Sequence, residues 1–146
     1  MNYAGFFTRF IAWFLDGIIA SILLFIFTLI LSPIIAALSG GDGGLLGLLT
    51  GVLSLILILF LWAFQFVYFG YFWSKSGQSL GMKLLNIKVV RSSEDLPISF
   101  IRGGLRGTVG YWISAFVFGL GYIWAAFDAD KEAWHDKIFD TWVVQA

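Results

Sequence analysis

The chain has 146 residues, of which 60% are hydrophobic and only 12% charged, a balance outside the range of soluble domains. Nine basic and nine acidic residues cancel, so bulk charge argues against a nucleic-acid partner. With no cysteine there is no disulfide, thiolate metal site, catalytic thiol or palmitoyl anchor.

The first element begins at "RFIAWFLDGIIASILLFIF", from Arg9 to Phe27, and no charge follows from Gly17 to Gly41. That run exceeds the roughly 20 apolar residues a bilayer-crossing helix needs. It is too long, and lacks the small-residue cleavage site, for a secretory signal, so a retained helix is expected. Arg9 and Asp16 lie seven apart and share one helix face, about 10 Å apart along the axis. Asp16 then sits roughly two turns inside the bilayer, too deep for its short side chain to reach water. A buried ionisable group there is a functional candidate by default. Three readings are open: ion or proton handling, a closed Arg9–Asp16 or Asp16–Arg106 pair that locks helices together, and a polar cluster that binds a partner.

A connection, "SGGDGG", carries no Lys or Arg and leads to a second uncharged run from Gly43 to Ser74. Gly43, Gly47 and Gly51 repeat every four residues, the small-residue spacing that lets helices approach closely, either inside the chain or at a dimer seam. Gln65 lies roughly 12 Å inside the aromatic end of this span, at about the depth of Asp16, and is the first partner expected for it. Lys75, Lys83, Lys88, Arg91, Arg102 and Arg106 follow. The positive-inside bias puts the first connection outside, with the N-terminus and this basic segment in the cytoplasm.

Within the basic segment, "GQSLGMK" lacks the spacing of a phosphate loop and reads as a turn into an interfacial helix or strand. "LNIKVV" (Leu85 to Val90) and "TWVV" (Thr141 to Val144) are β-branched runs that can pair as a ribbon. Between them, Gly103, Gly107 and Gly110 flatten one side of a third apolar segment, where internal packing is expected. That segment runs on to "GLG", where Gly119 and Gly121 suit a turn between two short half-helices. The first expectation is a re-entrant hairpin with both termini cytoplasmic, and the alternative is a third full span. Irregular backbone at membrane depth must be covered by protein or line a wet cavity, so the hairpin implies a cavity or an oligomer. "WHD" holds the only histidine, His135, beside Asp136. One His without Cys makes no ordinary transition-metal site, and no serine stands in a nucleophile-elbow context. No enzyme activity, metal or cofactor is expected. His135 can relay protons, although such a residue more often bonds a neighbouring carbonyl or carboxylate.

Taken in order, these pieces resemble the RDD family of small bacterial membrane proteins, named for one arginine and two aspartates. Arg9 and Asp16 match its first span, "GQSLGMKLLNIKVV" its signature after the second span, and Arg102 and Arg106 its basic pair. "WHDKIFDTWVV" matches its C-terminal signature, making Asp136 the second named aspartate, with Asp128 as substitute. Met82 stands where many members carry a basic residue, and the tail is more acidic than usual. The resemblance implies transport, including sodium–proton exchange, with no settled reaction.

The expectation is therefore a single membrane domain over residues 1–146, an all-α polytopic protein of two full transmembrane helices plus a re-entrant or third helical segment, with a small cytoplasmic β-ribbon. The expected function is proton-coupled transport of a small cation in the bacterial inner membrane by a homo-oligomer. Asp16 is the carrier, Gln65 supplies an oxygen, Arg9 or Arg106 tunes the carboxylate, and His135 serves at the cytoplasmic mouth. The runner-up is a non-catalytic module that binds and regulates another membrane protein.

Overall fold

The computed structural model describes residues 2–38, 43–92 and 94–146. Two long helices come first, α1 (Phe6–Leu38) and α2 (Gly43–Lys75), followed by α3 (Leu80–Leu84) and β1 (Ile87–Arg91). Next come α4 (Phe100–Leu105), a π-helical turn (Arg106–Gly110), α5 (Tyr111–Phe116), α6 (Leu120–Phe127), α7 (Trp134–Phe139) and β2 (Thr141–Gln145). The described residues group into two units, Met1–Asp16 with Gln65–Ala146, and Gly17–Phe64.

The Gly17–Phe64 unit is membrane-spanning by composition. Helices α1 and α2 each have 33 residues and carry windows of mean hydropathy 2.8 and 2.6. Within this unit four hydroxyl side chains turn inward on their own helix. Ser21 and Thr28 donate to the carbonyls of Gly17 and Leu24 at 2.8 and 2.9 Å, and Thr50 and Ser54 donate to those of Leu46 and Thr50 at 2.7 and 2.9 Å. In hydrocarbon such back-bonding satisfies these four hydroxyl donors. Phe27 and Phe60 stack with ring centroids 4.9 Å apart. Gly43, Gly47 and Gly51 are exposed, and a Cβ added at any of them would meet nothing within 4 Å. The close packing inside the chain expected of them is thus not seen among the described residues. Most of the "SGGDGG" connection, expected outside, falls on residues 39–42 and lies outside the described residues.

The other unit holds the expected ribbon. Strands β1 and β2 pair antiparallel, with Val89 opposite Val143 and Ile87 opposite Gln145. The N-terminus joins them through a bridge from Tyr3 to Val144 and a hydrogen bond from Ala4 N–H to the Val143 carbonyl at 2.9 Å. Ile87, Val89, Val90, Val143 and Val144 are buried, which is what the β-branched runs at 85–90 and 141–144 require of a ribbon with a core side.

Glycines set how closely the third segment packs. A Cβ at Gly107 would lie 2.4 Å from the Phe69 ring, one at Gly110 2.9 Å from His135 Cβ, and one at Gly121 2.4 Å from Ser114 Cα. These are the internal contacts expected of Gly103, Gly107 and Gly110, with Gly121 added. The segment breaks after Phe116 and resumes at Leu120, bent by 90°. Phe118 and Gly119 take the turn at φ 50° and 74°. Because space beside Gly119 is open, Gly119→Ala is expected to cost only the left-handed conformational penalty, about 1–2 kcal/mol, read as a lower unfolding temperature in detergent.

Candidate functional site

Two buried carboxylates organise the Met1–Asp16 and Gln65–Ala146 unit, and they are compensated in different ways. Asp136 stands in the first turn of α7 and accepts from the Ala133 N–H at 3.0 Å. Arg9 Nη1 donates to its Oδ2 at 2.8 Å, and Arg106 reaches Oδ1 through Nη2 and through Nε at 3.2 Å. Thr141 Oγ1 donates to the same oxygen at 3.3 Å and accepts from Arg106 Nε at 3.0 Å. Arg9 also ties to the Ala4 and Val143 carbonyls at 3.0 and 3.2 Å, fastening the start of α1 to the ribbon. The Arg106 guanidinium stacks 4.5 Å from the Trp73 ring centroid.

Asp136 is fully buried and Arg106 1% exposed. Burial pushes the Asp136 pKa up, but the Arg106 guanidinium, His135 and Arg9 more than reverse this and hold the carboxyl well below its ordinary value. The ion triad is therefore charged at any physiological pH. Among the described residues, two buried side-chain polar atoms have no hydrogen-bond partner, Trp73 Nε1 and Arg106 Nη1.

His135 is buried against Tyr111, ring centroids 4.8 Å apart, with Nδ1 2.8 Å from Ser114 Oγ and Nε2 3.8 Å from Asp136 Oδ1. Burial pushes its pKa down to about 3, both arginines add to this, and Asp136 opposes it. His135 is thus neutral near pH 7. From its ordinary 6.5 down to about 3, the unfolded chain binds a proton that the native state does not. Stability is full above pH 6.5 and falls as the pH drops through that window, by up to about 1.4 kcal/mol per pH unit. Asp136 adds its own loss only below its ordinary 3.8. Thermal unfolding against pH is expected to show this slope in the native protein and to lose it between pH 6 and 4 in His135→Gln. Ser114 is fully buried, so the Ser114–His135–Asp136 alignment exposes no nucleophile.

Asp16 has neutral partners. Tyr68 donates its hydroxyl to Oδ1 at 2.7 Å, Ser79 its hydroxyl to Oδ2 at 2.6 Å, and the Gly81 backbone N–H to Oδ1 at 2.8 Å. Among the described residues no Lys, Arg or His forms an ion pair with it. Ser79 caps α3, accepting from the Met82 N–H, and Tyr68 accepts from the Leu80 N–H at 3.2 Å. A Cβ at Gly81 would lie 2.2 Å from the Ala12 carbonyl oxygen, so only glycine brings this backbone against α1.

The expected partners of Asp16 are engaged elsewhere. Gln65 donates to the Gly107 carbonyl at 2.7 Å, within the π-helical turn. Arg9 and Arg106 turn to Asp136, so neither closed pair with Asp16 forms. Arg102 is half-exposed and joins neither cluster. Asp128, the substitute aspartate, accepts from Lys137 at 2.5 Å near the surface. Sequence reasoning missed Tyr68, Ser79 and Gly81 around Asp16, and Trp73, Ser114 and Thr141 around Asp136. The available signal was "GQSLGMK", which contains both Ser79 and Gly81.

A partly open cavity of about 330 Å³ lies beside the triad, walled mainly by apolar and aromatic side chains and reached by Arg9, Arg106 and His135. Among the described residues no three His, Cys, Asp or Glu side chains gather as a metal-binding group.

Comparison with known proteins places the chain in a family. The model of the RDD family covers residues 3–140, nearly the whole chain. Neither the curated proteins nor the solved structures include a significant match.

Proposed function

Because the chain belongs to the RDD family of membrane proteins, we propose that it exchanges a small monovalent cation for protons, with Asp16 as the exchanging carboxylate. One observation carries the reading. Asp16 is buried among neutral donors, whereas Asp136 is matched by two guanidinium groups. A buried carboxylate without a countercharge is costly, and taking up a proton or a cation relieves the cost. Its neighbours suit both states. The Tyr68 and Ser79 hydroxyls can donate to an ionised carboxylate or accept from a protonated one. They also offer oxygen to a hard cation, while the Gly81 N–H keeps Oδ1 in place.

In this proposal the protein lies in the bacterial inner membrane and the bent segment re-enters the bilayer from the cytoplasmic side. The ribbon supports that topology. It joins the N-terminus, the strand after α2 and the C-terminal strand, so two crossings by α1 and α2 leave an even count only if the bent pair returns to its starting side. Two spans and one bent pair enclose no pathway alone, and the proposal therefore includes a homo-oligomer.

Proteoliposome flux tests it. Internal pH is followed as Na⁺, K⁺ or Li⁺ is added outside, for the native protein and Asp16→Asn. The expected result is proton movement that depends on one cation and is lost in the variant, with fold and oligomeric state unchanged. No flux from a well-folded native oligomer would reject it. A second reading, a non-catalytic module that binds another membrane protein, is favoured by the open space beside Gly43, Gly47 and Gly51. It predicts altered assembly in Gly47→Leu and no flux to lose.

A further inference from the structure

We propose that the cavity beside the ion triad binds a single-chain amphiphile with an anionic head, an acyl carboxylate or an acyl phosphate, its head against Arg106 and its chain along the aromatic wall. The first argument is charge. Two guanidinium groups, Arg9 and Arg106, face one carboxylate, Asp136, and His135 contributes no charge near neutral pH. The cluster thus holds one positive charge in excess, in a place where an unmatched charge is costly.

The second argument is an orphan donor. Arg9 uses Nε, Nη1 and Nη2 on Ala4, Asp136 and Val143, and Arg106 uses Nε and Nη2. Of these guanidinium nitrogens Arg106 Nη1 alone makes no hydrogen bond of ordinary geometry among the described residues, the Tyr111 hydroxyl being the other polar neighbour of this side chain, which is 1% exposed and lines the cavity. Buried donors of this kind call for an acceptor from outside the chain. An anionic oxygen supplies both the missing acceptor and the missing charge.

The third argument is the remaining lining. Phe6, Phe10, Trp13 and Ile123 make it mostly apolar, the polar groups being the arginines, His135 and the hydroxyls of Tyr111 and Tyr122. Phe10, Trp13 and Ile123 are also between 41% and 49% exposed, so the wall continues onto the surface of the apolar helices. A free inorganic anion would satisfy Nη1 and leave that wall empty. An amphiphile fills both. The volume lies at the low end of the ~300–1,000 Å³ typical of small-molecule pockets, which suits one chain rather than two.

The test is equilibrium binding to the full chain in a non-ionic detergent, read by native mass spectrometry and by tryptophan fluorescence. Probes are dodecanoate, dodecyl phosphate, dodecanol, dodecyltrimethylammonium and inorganic phosphate. Both anionic amphiphiles are expected to bind at least about tenfold more tightly than the alcohol and the cation, with inorganic phosphate weakest. The ratio between the two anions identifies the preferred head. Removing Arg106 risks unfolding the core, so the blocking variant is Ile123→Trp, which fills the wall and leaves the triad intact. It should weaken the anionic amphiphiles about tenfold or more with an unchanged unfolding temperature in the absence of probe. Equal binding of anionic and cationic probes, inorganic phosphate matching the amphiphiles, or undiminished binding in folded Ile123→Trp would each overturn the proposal.

Discussion

Asp136→Asn is expected to destabilise the protein by about 3–5 kcal/mol, the cost of leaving a buried charge without its partner. The amide keeps the size but turns one of two accepting oxygens into a donor that faces other donors, and it removes the one negative charge that, among the described residues, pairs with Arg9 and Arg106. Arg106 is 1% exposed and pinned over Trp73, so it cannot swing to water. Arg9, with its side chain 12% exposed, recovers some hydration. The order of severity should therefore be Asp136→Asn above Arg9→Gln. Denaturant unfolding in detergent checks it, and a cycle of Asp136→Asn with Arg9→Gln should show a coupling above about 0.5 kcal/mol, as contacting partners do. Because the triad ties the start of α1, the π-helical turn and α7 to the ribbon, its loss should also free the Ala4 amide, bonded to the Val143 carbonyl, to exchange its hydrogen.

Gly81→Ala is the second large effect. The added methyl would meet the Ala12 carbonyl oxygen at 2.2 Å, and that atom belongs to the α1 backbone and has no rotamer to change. Overpacking of this kind costs about 1–3 kcal/mol. Moving α3 away also strips the Gly81 N–H from Asp16, leaving a buried acceptor short of a donor at a further cost of about 1–3 kcal/mol. Ser79→Ala removes one hydroxyl without a clash and should cost less. Gly47→Ala provides the contrast, since its Cβ meets nothing within 4 Å and alanine favours a helix by about 1 kcal/mol over glycine. Unfolding temperatures of the three variants should rank Gly81→Ala lowest, Ser79→Ala next and Gly47→Ala at or above the native protein.

Legibility differed by kind of signal. The two spans were readable because an uncharged run longer than the bilayer has few soluble alternatives. The ribbon was readable because "LNIKVV" and "TWVV" had no other obvious partner in the sequence, and the bend because "GLG" offers a left-handed residue that such a turn needs. The pairing of charges was not readable. Helical periodicity puts Arg9 and Asp16 on one face, but it says nothing of Asp136, 127 positions away, which captures Arg9. Depth matching brought Gln65 to the level of Asp16, yet hydrogen bonding is decided by azimuth as well, and Gln65 faces the Gly107 carbonyl. The "GQSLGMK" turn was read for its glycines alone. Its serine and its second glycine prove to hold Asp16, because a short helix capped beside a buried carboxylate presents its hydroxyl and N–H groups together.

The claim that Asp16 exchanges its countercharge is tested most directly by infrared difference spectroscopy of the protein in lipid, in the carbonyl-stretch region of protonated carboxyl groups. Lowering the pH should produce a band that disappears when the transported cation is added at the same pH, and that band should be absent from Asp16→Asn. A carboxylate that keeps one unchanged signature through both changes would contradict the account and leave Asp16 as a fixed clasp between α1, α2 and α3.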